Sequence, residues 1–410
     1  MNRSYHTITT RFNGYFNANE SFTQGLQRLS SQHVENYEGI LSIFPYGTAQ
    51  QAASVNQYMD VAYQKASIAI RRHSMNIRGV EYNSYIDQSY FLIARSHFFK
   101  GDYNLAILTF EYIVRQYDTP LAYQAKVWIA KSQMFQERYN QARQMLEVVE
   151  RDIQQGLAPE EAIRMYHLVA ADLEMKQTNY QQAIPSLHEA INLTSNRQQR
   201  TRLTFILGQL YQEVKNYSDA QATYERILKM NPSFELAFQA RIRMAMAYDP
   251  ASGNSDAIHS ELTRMLRDDK NKAFRDQIYY ALAQMALRQG QQEEAIDLLL
   301  ESTAASEENR LQKGLSFYQL AQIYYQKPDY LKASVYYDST VTYLPQSFEN
   351  FQQISTTRGM LSELAVNLRI IAVEDSLQRL AALPEQQRNE MVDQMIATMR
   401  EQEALERKAE

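Results

Sequence analysis

The stretch "LGQLYQEVKNYSDAQATYERILKMNP" (207–232) decides the fold. A small residue, Gly208, is followed three positions later by Tyr211. A turn at Lys215-Asn216 leads to Tyr217, then Ala220, then Tyr224, and Pro232 closes the unit. Two helices joined by a short turn can approach closely only where the side chains at their crossing are small, here Gly208 and Ala220. Tyr217, three residues before the alanine, is placed to fill the space beside the turn.

The pattern recurs along the chain. A small or polar turn, an aromatic, two residues and an alanine stand in "GDYNLAILTF" (101–110), "RYNQARQML" (138–146), "NYQQAIPSL" (179–187) and "DYLKASVYY" (329–337). In "GQQEEAIDLL" (290–299), Gln292 replaces the aromatic, and "NSDAIHSEL" (254–262) is a degenerate copy. The alanines are Ala106, Ala142, Ala183, Ala220, Ala257, Ala295 and Ala333, spaced by 36, 41, 37, 37, 38 and 38 residues. Twelve positions before each stands Ala94, Ala130, Ala171, Gly208, Ala245, Ala283 or Ala321. A hairpin of this kind exposes an apolar face that only the next hairpin buries, so the repeats stack into a solenoid.

The copies at 207–232 and 320–345 resemble the tetratricopeptide repeat (TPR), with its leading small residue, Tyr211 or Tyr324, the central alanine and Pro232 or Pro345. The fold expected is all-α, a TPR-like solenoid of about seven hairpins wound as a right-handed superhelix. The period exceeds the family's usual length, which predicts longer connections. "QQGLAPEE" (154–161) accounts for the 41-residue step, and "AYDPASGNSD" (247–256) reads as a longer loop. Three parts follow: a divergent helical cap over 1–80, the array over 81–345, and two helices over 346–410 split near Pro384.

Composition agrees. Of 410 residues only 12 are Gly and 9 Pro, too few breakers for anything but long helices. Net charge is −5, which supplies no basic field for nucleic acid, and "RQQRTR" (197–202) reads as a solvated helix start. There is no cysteine, hence no disulfide, thiolate metal site or cysteine nucleophile. No apolar run reaches the roughly 18 residues of a membrane span. Both ends read as cut, Met1 standing directly before a structured-looking segment and 392–410 continuing a helical pattern, so the expectation is a piece of a longer protein.

No catalytic constellation is legible. The seven histidines are scattered, no two of them three or four apart, and no phosphate loop or nucleophile elbow occurs. Glu160-Glu161, Glu293-Glu294 and Glu307-Glu308 fall at expected helix starts, where they complement the helix dipole. The expectation is a protein without enzyme activity, cofactor or metal.

The first helix of each hairpin should line the concave side. Three residues before each small residue stand Phe91, Val127, Leu168, Phe205, Ile242, Tyr280 and Tyr318; four after stand Phe98, Met134, Met175, Leu287 and Tyr325. TPR domains that grip chaperone C-termini carry Lys and Asn there, so these apolar residues argue against acidic-tail recognition. Two readings stay open: a wound array whose groove is its own core, or an apolar trough for a partner helix or strand. On the second, Phe91, Phe98, Phe205, Tyr280, Tyr318 and Tyr325 are partner-binding residues.

The opening "NRSYHTITTRFNGYFNANESF" (2–22) carries an apolar stripe at Tyr5, Ile8, Phe12 and Tyr15 or Phe16. It reads as a first hairpin that packs by this stripe, with "NANE" (17–20) restarting the helix and Asn17 as its cap. Phe22 and Gly25 stand where the aromatic and small residues stand in the other hairpins. A turn at "FPYGT" (44–48) and a helix from about 50 to 76 follow. The opposite polar side, His6, Arg11, Asn13 and Asn17, is then the surface expected to meet a partner.

The string Tyr5-His6, Thr9 to Asn13, Tyr15 to Asn17 and Glu20 to Phe22, together with "SIFPYG" (42–47) and the array, resembles the PorW/SprE family, TPR lipoproteins of the type IX secretion and gliding-motility machinery. The resemblance implies a periplasmic protein held to the outer membrane only through an N-terminal lipid anchor that this chain lacks. It implies a non-catalytic scaffold bridging a PorK/PorN-type ring and the outer-membrane translocon. The alternative is a TPR adaptor of another envelope-assembly or cytoplasmic complex.

Overall fold

The computed structural model describes residues 3–37, 39–247, 255–346, 348 and 350–409. The described chain is helical almost throughout, its only sheet being a two-stranded antiparallel hairpin that pairs Asn76 with Glu81 and Ile77 with Val80. It forms two compact units, Met1–Gly253 and Asn254–Glu410. The longer loop expected at 247–256 lies almost wholly outside the described residues.

Unit 1 opens with α1 (Arg3–Thr9), a π-helical turn (Thr10–Tyr15) and α2 (Phe16–Gln32) as one continuous run. The restart expected at "NANE" is absent: Asn17 caps nothing and donates instead to the Asn13 carbonyl at 2.7 Å. The run packs on α4 (Asn56–His73), which follows a short α3 (Ala49–Ala52) where one helix was expected. The face turned to α4 is not the aromatic stripe. It is made by Thr10, Gly14, Ala18, Ser21 and Gly25, opposite Met59, Ala62, Ala66 and Ala69. A Cβ on Gly14 would lie 2.6 Å from the Ala69 Cβ, and one on Gly25 2.6 Å from the Met59 methyl. Small residues on both helices allow an approach that an aromatic face would block. Tyr5, Ile8, Phe12 and Phe16 consequently point outward and are more than half exposed.

The array follows in pairs: α5 (Ile86–Phe99) with α6 (Tyr103–Gln116), α7 (Pro120–Phe135) with α8 (Tyr139–Gln154), α9 (Glu160–Lys176) with α10 (Tyr180–Asn192), and α11 (Arg197–Glu213) with α12 (Tyr217–Lys229). Unit 1 ends with α13 (Phe234–Met246). Ala94, Ala106, Ala130, Ala142, Ala171, Ala183 and Ala220 are fully buried at the crossings, as the spacing requires. The turn inside each pair holds one left-handed residue seven after the small one: Gly101, Glu137, Thr178 and Lys215. Only the first is glycine, so the tertiary fold imposes this conformation on three side chains that disfavour it. The core is richest where Phe91, Phe98, Phe99 and Phe110 surround Trp128, with the Arg95 guanidinium held between the Phe22 and Trp128 rings.

Unit 2 holds α14 (Ser255–Arg267), a 3-10 turn (Asp269–Phe274), α15 (Arg275–Arg288) paired with α16 (Gln292–Ala305), and α17 (Arg310–Gln326) paired with α18 (Tyr330–Tyr343). Ala283, Ala295, Ala321 and Ala333 keep the pattern. The degenerate copy does not: Ala257 is exposed and α14 buries Ile258, Leu262 and Met265 instead. Around Asp276, whose carboxyl is raised by burial, Ser302, Ser306, Gln312 and Ser316 form a closed hydrogen-bond network. The unit ends with α19 (Phe351–Ala382) and α20 (Glu385–Ala409), split at Pro384 as read from the sequence.

Candidate functional site: the groove of unit 1

The inner side of a solenoid of hairpins is where a partner chain would lie, and in unit 1 that side is occupied by the protein itself. The segment after α2, described at residues 33–37 and 39–48, runs without helix across the first helices of successive hairpins in reverse order. The Tyr37 carbonyl accepts from Arg243 on α13, and the Tyr37 ring meets Phe205 on α11 edge to face. Gln209 on α11 takes the main chain at both its polar groups. Its Nε2 donates to the Gly39 carbonyl at 2.8 Å and its Oε1 accepts from the Leu41 amide at 3.0 Å. Arg202, also on α11, donates to the Ser42 carbonyl at 2.7 Å and forms a two-armed pair with Glu35. On α9, the Asp172 carboxyl faces the Ile43 amide, which favours its charged form. On α7, the Lys131 ammonium sits 3.7 Å from the centre of the Phe44 ring. At the near end the Tyr103 hydroxyl of α6 donates to the Gly47 carbonyl at 2.7 Å.

The local sequence suits the task. Pro45 biases Phe44 away from helical geometry, so the segment cannot coil. Gly47 has φ +111, and a Cβ there would come within 2.6 Å of the Phe98 ring, so only glycine lets the backbone pass. Leu41 and Ile43 are 3% and 5% exposed and belong to one core with Leu168, Phe205 and Tyr224. Burying such side chains contributes roughly 1.5–3 kcal/mol each, beyond the polar contacts.

Two charges buried in the groove are shifted toward neutrality. Burial pushes Lys131 down to about 7, its ammonium held against the rings of Phe44, Trp128 and Phe98. Burial pushes Asp172 up to about 6, with Lys176, Lys131 and the Ile43 amide pulling the other way. Burial also acts to raise Glu35, but Arg202 and His33 hold it below its ordinary value.

The sequence-derived groove residues divide accordingly. Phe91, Phe98 and Phe205 are core, and Val127, Leu168, Ile242 and Met134 with them, so in unit 1 they meet the chain's own segment or one another. In unit 2, Tyr280 and Tyr318 are half-buried and Tyr325 is 49% exposed. The opening polar side also divides. Arg11 and Asn13 are exposed, whereas His6 is half-buried with its Nδ1 3.1 Å from that of His73, and Asn17 is half-buried. The expectation that this side faces solvent while the stripe packs is reversed at His6. Thr10, on the same side, is fully buried and accepts from Asn83 at 2.9 Å. Sequence reasoning missed Gln209, Arg202 and residues 35–43 as a unit. The only signal was the Phe-Pro-Tyr-Gly string, which was read as a turn. Among the described residues no three His, Asp or Glu side chains gather in a metal-binding group, and no helix is long and apolar enough to cross a membrane.

The tetratricopeptide-repeat family model matches residues 202–234 and 276–309, which are α11 to α12 and α15 to α16 with their flanks. No curated protein matches the sequence. Among solved structures, the chain is similar to a TPR protein from Parabacteroides merdae, 14% identical over 67% of this chain and 98% of that one, TM-score 0.45. It is also similar to the C-terminal part of a TPR protein from Cytophaga hutchinsonii, 15% identical over 75% and 98%, TM-score 0.36. A signal-transduction ATPase with a TPR sensor from Pyrococcus horikoshii is 13% identical over 88% of this chain and 54% of that one, TM-score 0.40. The described chain is all-α and built of helical hairpins, two of which match the TPR model; TPR repeats suggest a protein-interaction adaptor role, and no enzyme family is indicated.

Proposed function

We propose that the protein is a non-catalytic periplasmic scaffold of a type IX secretion system, bridging a PorK/PorN-type ring and the outer-membrane translocon. The TPR array supports an adaptor role. The finer reading rests on the resemblance of the opening string and of "SIFPYG" (42–47) to PorW/SprE proteins, with the outer-membrane lipid anchor that this resemblance implies. One structural observation carries the reading of where partners bind. Residues 42–47 are seated among the inner helices of unit 1, so that groove is taken, and partners meet other surfaces. In unit 2, Tyr325 on α17 and Leu331 and Val335, one turn apart on α18, are exposed apolar side chains of the kind a partner helix covers.

The test places photo-reactive groups at Tyr325 and Val335 in the producing bacterium. Recovery of ring or translocon components is expected. Recovery only of components of an unrelated envelope or cytoplasmic complex sinks the secretion reading while leaving the adaptor role standing.

A further inference from the structure

The packed pair formed by the opening helix and the end of α4 joins two stretches that carry cations and no carboxylate. Residues 1–19 carry Arg3 and Arg11, and residues 61–80 carry Lys65, Arg71, Arg72 and Arg78, with no Asp or Glu in either, in a protein whose net charge is −5. The two segments are one structural end: His6 meets His73, Gly14 meets Ala69, and Asn83 donates to the His73 carbonyl and Thr10. The carboxylate next in sequence, Glu81, is already engaged by Ser74 and by the amides of Met75 and Asn83.

The same end exposes its apolar residues. Tyr5, Ile8, Phe12 and Phe16, spaced by three and four, are 58%, 56%, 63% and 57% exposed. The β-hairpin beside them holds Ile77 and Val80, 53% and 55% exposed, on either side of Arg78 and Gly79. The Arg11 guanidinium lies 4.8 Å from the centre of the Phe12 ring, apolar face and cation side by side. This is a ridge: a helix surface and a hairpin tip.

We propose that this end is a docking surface for an anionic lipid bilayer. Aromatic rings and Ile on a ridge enter the boundary between headgroups and acyl chains, and arginines with long apolar stems reach back to the phosphates. Six cations, against Glu81 on the hairpin and Glu20 beside Lys65, leave this end net positive, which complements an anionic leaflet. An acidic protein would share the charge complementarity, but rings and Ile spaced by three and four beside arginines are the pattern of a helix lying in a membrane interface. The packing keeps the ridge out: small and polar residues hold the helix on α4 and leave the aromatics unused. The inference does not rest on the secretion reading.

The test is co-sedimentation of the full chain with vesicles of equal parts phosphatidylglycerol and phosphatidylcholine, against vesicles of phosphatidylcholine alone. Binding to the anionic vesicles only, released by raised salt, is expected. The variant Tyr5→Ser/Phe12→Ser/Phe16→Ser should lose binding at least about tenfold. Arg3→Gln/Arg11→Gln should weaken it and flatten its salt dependence. Both should melt as the parent does, because the altered side chains are exposed, so loss of binding is not loss of fold. A parent protein that stays in solution with both vesicle types overturns the proposal, as does equal binding by the triple variant. Failure on vesicles combined with stripe-dependent capture of an acidic protein reassigns the surface to that class.

Discussion

Gln209 holds the main chain of Leu41 across 168 residues of sequence, its Oε1 accepting from the Leu41 amide while its Nε2 donates to the Gly39 carbonyl. A side-chain amide can satisfy a donor and an acceptor two residues apart on an extended strand, as a neighbouring strand would. Gln209 is 1% exposed, so water cannot replace it. Gln209→Ala is expected to lower stability by about 1–3 kcal/mol, since the buried Leu41 amide loses its partner while the carbonyl of exposed Gly39 can turn to water. Gln209→Glu should also destabilise, by setting a carboxylate oxygen against the Gly39 carbonyl. Urea unfolding followed by circular dichroism measures both. An unchanged midpoint for either would show that the segment is not fastened there.

The crossing of α11 and α12 is as tight as the repeat allows. A Cβ on Gly208 would lie 2.6 Å from the Tyr224 ring, which is itself wholly buried and bonded through its hydroxyl to Gln212 at 2.6 Å. Gly208→Ala is expected to cost about 1–3 kcal/mol by overpacking, although alanine occupies the matching position in the other hairpins. The double variant Gly208→Ala/Tyr224→Leu should recover part of that loss, because leucine is the residue four after the alanine in the α9–α10 hairpin. Thermal melting of the pair decides it.

The two faces of the opening helix should behave oppositely. Thr10→Val removes the hydroxyl that accepts from the buried Asn83 amide and is expected to cost about 1–3 kcal/mol. Phe12→Ser or Asn13→Ala, on exposed positions, should stay within about 0.5 kcal/mol of the parent. A large loss at Phe12 and none at Thr10 would restore the stripe as the packing face.

Lys131 gives a pH signature. Burial lowers its folded value to about 7 from an ordinary 10.5, so between those limits the unfolded chain binds a proton that the folded chain does not. Stability therefore rises with pH across that window and is lost as pH falls through about 7, with a slope of at most about 1.4 kcal/mol per unit. Lys131→Met should remove this contribution, making the variant relatively more stable near neutrality than near pH 10. Denaturant midpoints of parent and variant across that range are the measurement. Parallel curves would mean that Lys131 keeps its proton inside the ring of aromatics.

Much of the solenoid was legible because helix crossings impose a local demand. Ala94 with Ala106, or Ala283 with Ala295, had to be small at fixed spacing, and twelve residues of sequence report that directly. Where the demand is weaker the reading slipped, as at Ala257, whose neighbour Ile258 is the residue buried. The left-handed turns at Glu137, Thr178 and Lys215 carry no signal at all, because the side chains there disfavour the conformation the fold imposes.

The sequence by itself determined the repeat, its period, the small residues at each crossing and the helical character of both ends. Only the tertiary structure decided which face of the opening helix is buried and what fills the groove of unit 1. For the first, periodicity marks an apolar stripe and a small-residue stripe alike, and close approach to Ala62, Ala66 and Ala69 favoured the small one. For the second, an extended segment has no helical period to betray it. Its partners, Lys131, Asp172, Arg202, Gln209 and Arg243, lie far along the chain on four different helices, and nothing local distinguishes the residues that hold a backbone from those that face water.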